Sequence, residues 1–193
     1  MKLSVPKSED SPAQATQAFM RLRATLFLSL SLVWLLAVGG GRAQDSSSIE
    51  YQLKAAFLLN FTKFVEWPPA AFAKADSPIV LGILGENPFG EVLKGKTINN
   101  RLLKVEPFRS LAEVTNCHIL FIRASEKERL PAIIQSLGKA CVLTVGDEID
   151  GFTARGMINF VQREKKIRFQ INEAAAKRAD LKISSKLLSL AVR

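Results

Sequence analysis

The sequence predicts an α/β fold: a single three-layer domain whose mainly parallel sheet ends in an antiparallel hairpin. Three observations carry that reading. Residues 79–84, 117–122 and 141–145 are short apolar runs of the kind that form strands buried on both faces. A helical pattern over residues 126–137, broken near Pro131, separates the last two and makes a βαβ unit with a right-handed crossover. Residues 157–161 and 166–171 alternate apolar and polar side chains across the charged segment 162–165, the pattern of a hairpin. With 48% hydrophobic and 23% charged residues in 193, the chain is long enough for one domain with a real core.

The N-terminal region reads as an export signal. A basic start at Met20, Arg21 and Arg23 precedes 15 uncharged, largely apolar residues, 24–38, and small residues lead to a cut after Ala43. Fifteen residues fall short of the roughly 20 that cross a bilayer, so residues 20–43 are expected to be a signal peptide and not an anchor. Residues 1–19 are polar and read as an over-long start, which leaves 44–193 as the domain. Residues 1–43 take five basic and two acidic groups from a net charge of +9 and leave +6 on the domain. An exported domain does not meet nucleic acid routinely, so this surplus favours solubility, an acidic protein face or anionic lipid.

From Ile49 to Val65 the apolar period is helical, with Leu53, Phe57, Leu58, Phe61, Phe64 and Val65 on one broad face. Lys54 falls among them. Either its aliphatic stem covers core while the ammonium snorkels from the first turn, or it contacts a partner. The helix stops at Trp67, Pro68 and Pro69, because Pro68 disfavours a helical Trp67 and lacks an N–H. Gly85, Glu86 and Asn87 follow the run 79–84, where open parallel sheets hold ligands, and Phe89 begins a short helical stretch. The glycine spacing fits no phosphate-loop pattern. Residues 101–108 form a further strand. Near the C-terminus, Asn172 caps a small-residue helix starting at Glu173, residues 181–183 are briefly extended, and Ser184 or Ser185 caps a last apolar helix.

The run from Asn159 and Phe160 through Arg168, Phe169, Asn172, Ala175 and Ala176 to Leu181, Ser184, Leu187 and Ala191 resembles the C-terminal signature of the YfiR-like family of periplasmic proteins. Upstream, Lys54, Phe57, Asn60, Phe61, Trp67 and Pro68 resemble its first helix, and residues 117–122 and 142–147 its central strands. The resemblance implies a periplasmic inhibitor that holds the sensor domain of an inner-membrane diguanylate cyclase inactive and so lowers cyclic di-GMP and biofilm formation. Members of that family can carry two disulfides; this chain has only two cysteines.

The residues themselves offer little chemistry. His118 is the only histidine and sits in an apolar strand pattern, which suits a hydrogen-bonded structural role. One histidine and two cysteines make no zinc spacing. Ser184, Ser185 and Lys186 are explained by helix capping, and Asp147 with Glu148 by an acidic turn, although that pair can also hold a cation. Cys117 and Cys141 begin neighbouring strands, so they either form a disulfide or remain free buried thiols. The expectation is thus a binding protein without cofactor or metal. Its expected partner is an inner-membrane sensor protein, a diguanylate cyclase or kinase, met through an apolar patch around Trp67, Pro68, Pro69 and Phe89. The alternative is a small-ligand-binding periplasmic protein that uses the crevice at Gly85, Glu86 and Asn87.

Overall fold

The computed structural model describes residues 41–192, with side chains from Ser48 onward. The chain divides into two compact units, residues 1–46 and 47–193, and the account below concerns the second. The expected over-long start and leader lie outside the described residues, apart from Gly41, Arg42 and Ala43. Those three open helix α1 (Gly41–Phe64). Among the described residues no helix is long and apolar enough to cross a membrane.

Seven strands form one sheet in the order β3-β4-β2-β5-β6-β7-β8, where β2 is Ile79–Leu84, β3 Thr97–Ile98, β4 Arg101–Phe108, β5 Ile119–Ile122, β6 Leu143–Asp147, β7 Ile158–Arg163 and β8 Lys166–Ile171. The five central strands are parallel, and an antiparallel strand closes each edge. A separate pair joins β1 (Val65–Glu66) to β9 (Lys182–Ile183). Pro107 is tolerated in β4 because β3 pairs only with its first two residues, leaving the flank at Pro107 open.

Strand alternation splits the core into two layers. On β5, Ile119 and Phe121 point to one face, and Leu120 and Ile122 to the other; all four are buried. The first face receives α1 through Ala55, Leu58 and Phe61, together with α3 (Glu173–Arg178) and α4 (Ser185–Leu188). Phe61 meets Phe169 edge-on with ring centres 5.0 Å apart, and Phe89 meets Phe121 at 4.8 Å. The second face receives α2 (Leu130–Leu137) through Leu130, Ile133 and Leu137. Three layers result, as the apolar runs require.

The local rules hold at the C-terminal end. The Asn172 side chain accepts from the Ala175 N–H at 2.9 Å, and Ser184 Oγ from the Leu187 N–H at 3.3 Å. The last helix ends at Leu188, and Val192 donates to Phe169 O on the open edge of β8. The turn after Phe89 is likewise a set of tight turns and not a helix. The hairpin β7–β8 is tighter than the charge pattern implies: Arg163 and Lys166 pair, leaving only Glu164 and Lys165 in the loop, at φ of 50° and 59°.

Both loop residues thus sit in the left-handed region that a two-residue hairpin loop demands and that glycine adopts without a Cβ penalty. Lys165→Gly is expected to stabilise the domain by about 0.5–1 kcal/mol, because relief of that penalty outweighs the added freedom of the unfolded chain. A urea midpoint equal to or below the parent's would refute this.

Candidate functional site

The most concentrated polar chemistry lies at the C-terminal ends of β5 and β6, under the first described turns of α1. Lys54 is 1% exposed, yet its Nζ lies 2.7 Å from Asp147 Oδ1 and 2.8 Å from Glu148 Oε1, and it also pairs with Glu50 one turn back. Asp147, 3% exposed, uses its second oxygen to accept from the Tyr51 hydroxyl and from Arg123 Nη1, both at 3.0 Å. Arg123 Nη1 also donates to Tyr51 Oη. Each residue is placed by its element: Glu50, Tyr51 and Lys54 line the inward side of α1, Arg123 follows β5, and Asp147 ends β6.

Burial works to lower the Lys54 pKa, but hydrogen bonds to Asp147, Glu148 and Glu50 overcome it and raise the value above the ordinary lysine range. The ammonium is therefore charged at every physiological pH. Burial and the Asp147 carboxylate push the Tyr51 phenol upward, so it stays a donor. Glu148 holds φ at 58° to bring its carboxylate onto Lys54, a strained conformation for a residue with a side chain.

This arrangement departs from both sequence readings of Lys54. The side chain does not snorkel to water and offers almost no surface to a partner; it is held by carboxylates of its own chain. The neighbouring Leu53, expected in the core, is instead 46% exposed. The cation that Asp147 and Glu148 hold is the Lys54 ammonium. Tyr51 and Arg123 were not singled out from the sequence, and no local motif marks them, since their role depends on which strand ends meet.

The other expected site residues are dispersed. Phe89 is 2% exposed and packs on Phe121 and Tyr51, so it belongs to the core and not to an exposed patch. Trp67 is half-buried against the same core layer, with its indole N–H buried and without a partner. Pro68 is half-buried and Pro69 exposed. Gly85 adopts a φ of 100°, and a Cβ there would lie 2.8 Å from Cγ of Arg123, so this side of the turn is packed against the end of the next strand. Asn87 Oδ1 accepts from the Phe89 N–H and fixes that turn, while Glu86 is exposed.

Cys117 and Cys141 are free thiols in this structure, and the bridge that their strand positions allow is not formed. The chain leaves regular strand geometry at His118, so Cys117 packs in the layer under α2 while Cys141 packs against the opposite layer. Burial pushes the Cys117 thiol up to about 12 and raises that of Cys141 as well.

Chemically, the Lys54 cluster joins and orients elements. Ser184 is a helix cap, and Asp147 is already bonded on both oxygens. Among the described residues no group of three His, Cys, Asp or Glu side chains is placed to hold a metal. A family model described as YfiR/HmsC-like matches residues 51–192. No curated protein matches the sequence.

Two outcomes follow from the cluster and the thiols. Lys54→Ala leaves the buried Asp147 carboxylate without its buried cation and is expected to cost about 3–5 kcal/mol; an unfolding free energy from urea within about 1 kcal/mol of the parent would show that the cluster does not hold α1. Thiol titration of the unfolded, non-reduced protein is expected to find two free groups, with Cys117 slow to alkylate in the folded state. Zero free thiols would show that the bridge forms.

Proposed function

This chain belongs to the YfiR/HmsC-like family of periplasmic regulators of cyclic di-GMP signalling, and from that premise we propose that it restrains an inner-membrane sensor protein, a diguanylate cyclase or a kinase, through the outer face of α1. The observation that carries the reading is an uncharged stripe. Ile49 is 65% exposed and Leu53 46%, at a spacing of four; Ala56 and Asn60 continue the face, and half-buried Phe57 and Phe64 flank it. Residues three and four apart lie on one side of a helix, so Ile49, Leu53 and Ala56 present one apolar ridge that becomes polar at Asn60 and Lys63.

The ridge is held in place. Lys54 and Tyr51, on the inward side, tie α1 to the ends of β5 and β6, so the apolar face does not have to be ordered when a partner docks. Trp67, half-buried against the core, is at most a margin of this surface. To inhibit, the protein must bind the inactive conformation of its partner more tightly than the active one. The alternative, binding of a small ligand, has support at the opposite end of the sheet from Gly85. There a cavity of about 490 Å³ is lined by Cys117, His118 and Lys139 among others.

Leu53→Glu and Ile49→Glu are expected to leave the melting temperature unchanged and to weaken capture of the sensor domain by about 2 kcal/mol or more, roughly thirtyfold. In a deletion strain the variants should fail to lower cyclic di-GMP where the parent succeeds. Parent-like regulation by both variants would move the interface elsewhere. Cyclic di-GMP unchanged by deletion of the gene would overturn the regulatory reading and leave ligand binding.

A further inference from the structure

At the other end of β5, a second polar device holds down a second segment. Residues 69–78 cross the start of the sheet as a strap: Ala73 to Asp76 are exposed, and only a few side chains tie the segment down. The His118 ring is its central tie. Nδ1 accepts from the Val80 N–H at 3.1 Å, which leaves Nε2 to carry the proton and donate to Ala71 O at 3.1 Å. Phe72 of the strap stacks on the imidazole with ring centres 4.5 Å apart, and the Arg101 guanidinium covers the Phe72 ring at 3.9 Å. Arg101 Nη1 also donates to Ser77 O at 2.6 Å.

We infer that His118 is the catch of an acid-released strap: protonation of its ring frees residues 69–78 from the sheet and widens the cavity that they wall. The geometry admits only the neutral ring with the proton on Nε2. A proton on Nδ1 would point a donor at the Val80 N–H of β2, itself a donor, so the ring must swing out of its place, taking its bond to Ala71 O and its stack on Phe72 with it. Lys139 and the uncharged thiols of Cys117 and Cys141 line the same cavity, and Lys74 lies on the exposed part of the strap. Asp76 is exposed on the same stretch, and among the described residues no carboxylate forms an ion pair with the ring; the bond to Ala71 O and the Phe72 face favour the added charge less than burial opposes it.

The sign follows from linkage. Burial, aided by Arg101 and opposed by the bond to Ala71 O, lowers the His118 pKa with the strap closed. A released ring has the ordinary value of about 6.5. Closure is therefore fully favoured above about pH 6.5 and loses up to about tenfold per pH unit as pH falls from there to the lowered value.

The test is hydrogen exchange on the whole domain between pH 7.5 and 4.5, with protection factors for the amides of Phe72 and Val80. The Phe121 amide in β5 serves as the reference. The expected result is that Phe72 and Val80 lose protection about tenfold per unit inside the window while Phe121 keeps it. His118→Asn, whose Oδ1 takes the place of Nδ1 without titrating, should flatten the profile. The same protection loss in His118→Asn, or a parallel loss at Phe121, would overturn the inference. Should that variant not fold, an NMR titration of the parent decides: release must track the ring's own pKa, and strap protection that stays constant while the ring titrates would equally overturn it.

Discussion

The contact between Lys54 and Asp147 fixes how α1 lies on the sheet, and much of the surface follows from that choice. A turn of about one residue toward Leu53 would bury that leucine, lift Ala55 and Leu58 off the sheet and carry Lys54 to the margin of the buried face. Burying a leucine is worth about 1.5–3 kcal/mol. Yet that turn would withdraw the ammonium from Asp147, which is 3% exposed and would retain only Tyr51 and Arg123. Stranding one partner of a buried ion pair costs about 3–5 kcal/mol, so the charge acts with Ala55 and Leu58 to set the rotation. The net gain over a wholly apolar contact of similar volume need not be large; what the ions supply is a single orientation.

That orientation has a functional consequence. Turning Lys54 inward turns Ile49 and Leu53 outward, so the buried cation and the exposed apolar ridge are two results of one rotation. In a family whose members regulate membrane-bound signalling proteins, such a preorganised ridge makes association less costly, because its backbone is already ordered.

Much of the fold was legible because it rests on local rules. Buried parallel strands appear as unbroken apolar runs, the hairpin as alternation, and the caps as Asn172 and Ser184 at the expected offsets. The Lys54 cluster was half legible. A lysine on an apolar helix face and an acidic pair at the end of a largely apolar strand were both visible, but pairing them needs the strand order, which brings residues 93 positions apart into contact. Phe89 was misplaced for the same reason: nothing local says that the turn after β2 folds back onto Phe121. The cysteines show the limit of register arguments, since one irregular residue, His118, sends their side chains to different layers.

Strand β5 is four residues long, and a polar clamp stands immediately beyond each end: His118 before Ile119, and Arg123 after Ile122. One holds the strap, while the other helps to hold α1. Between them the strand is paired on both sides, and its four side chains are buried in the two core layers. Such a strand cannot slide to relieve strain at one end, because a shift in register would break both ladders and reverse every side chain. A loosened clamp therefore frees its own segment without moving the other. The strap can open while the apolar ridge of α1 stays in place, and any link between acid release and partner binding would have to come from a partner that touches both ends of the sheet.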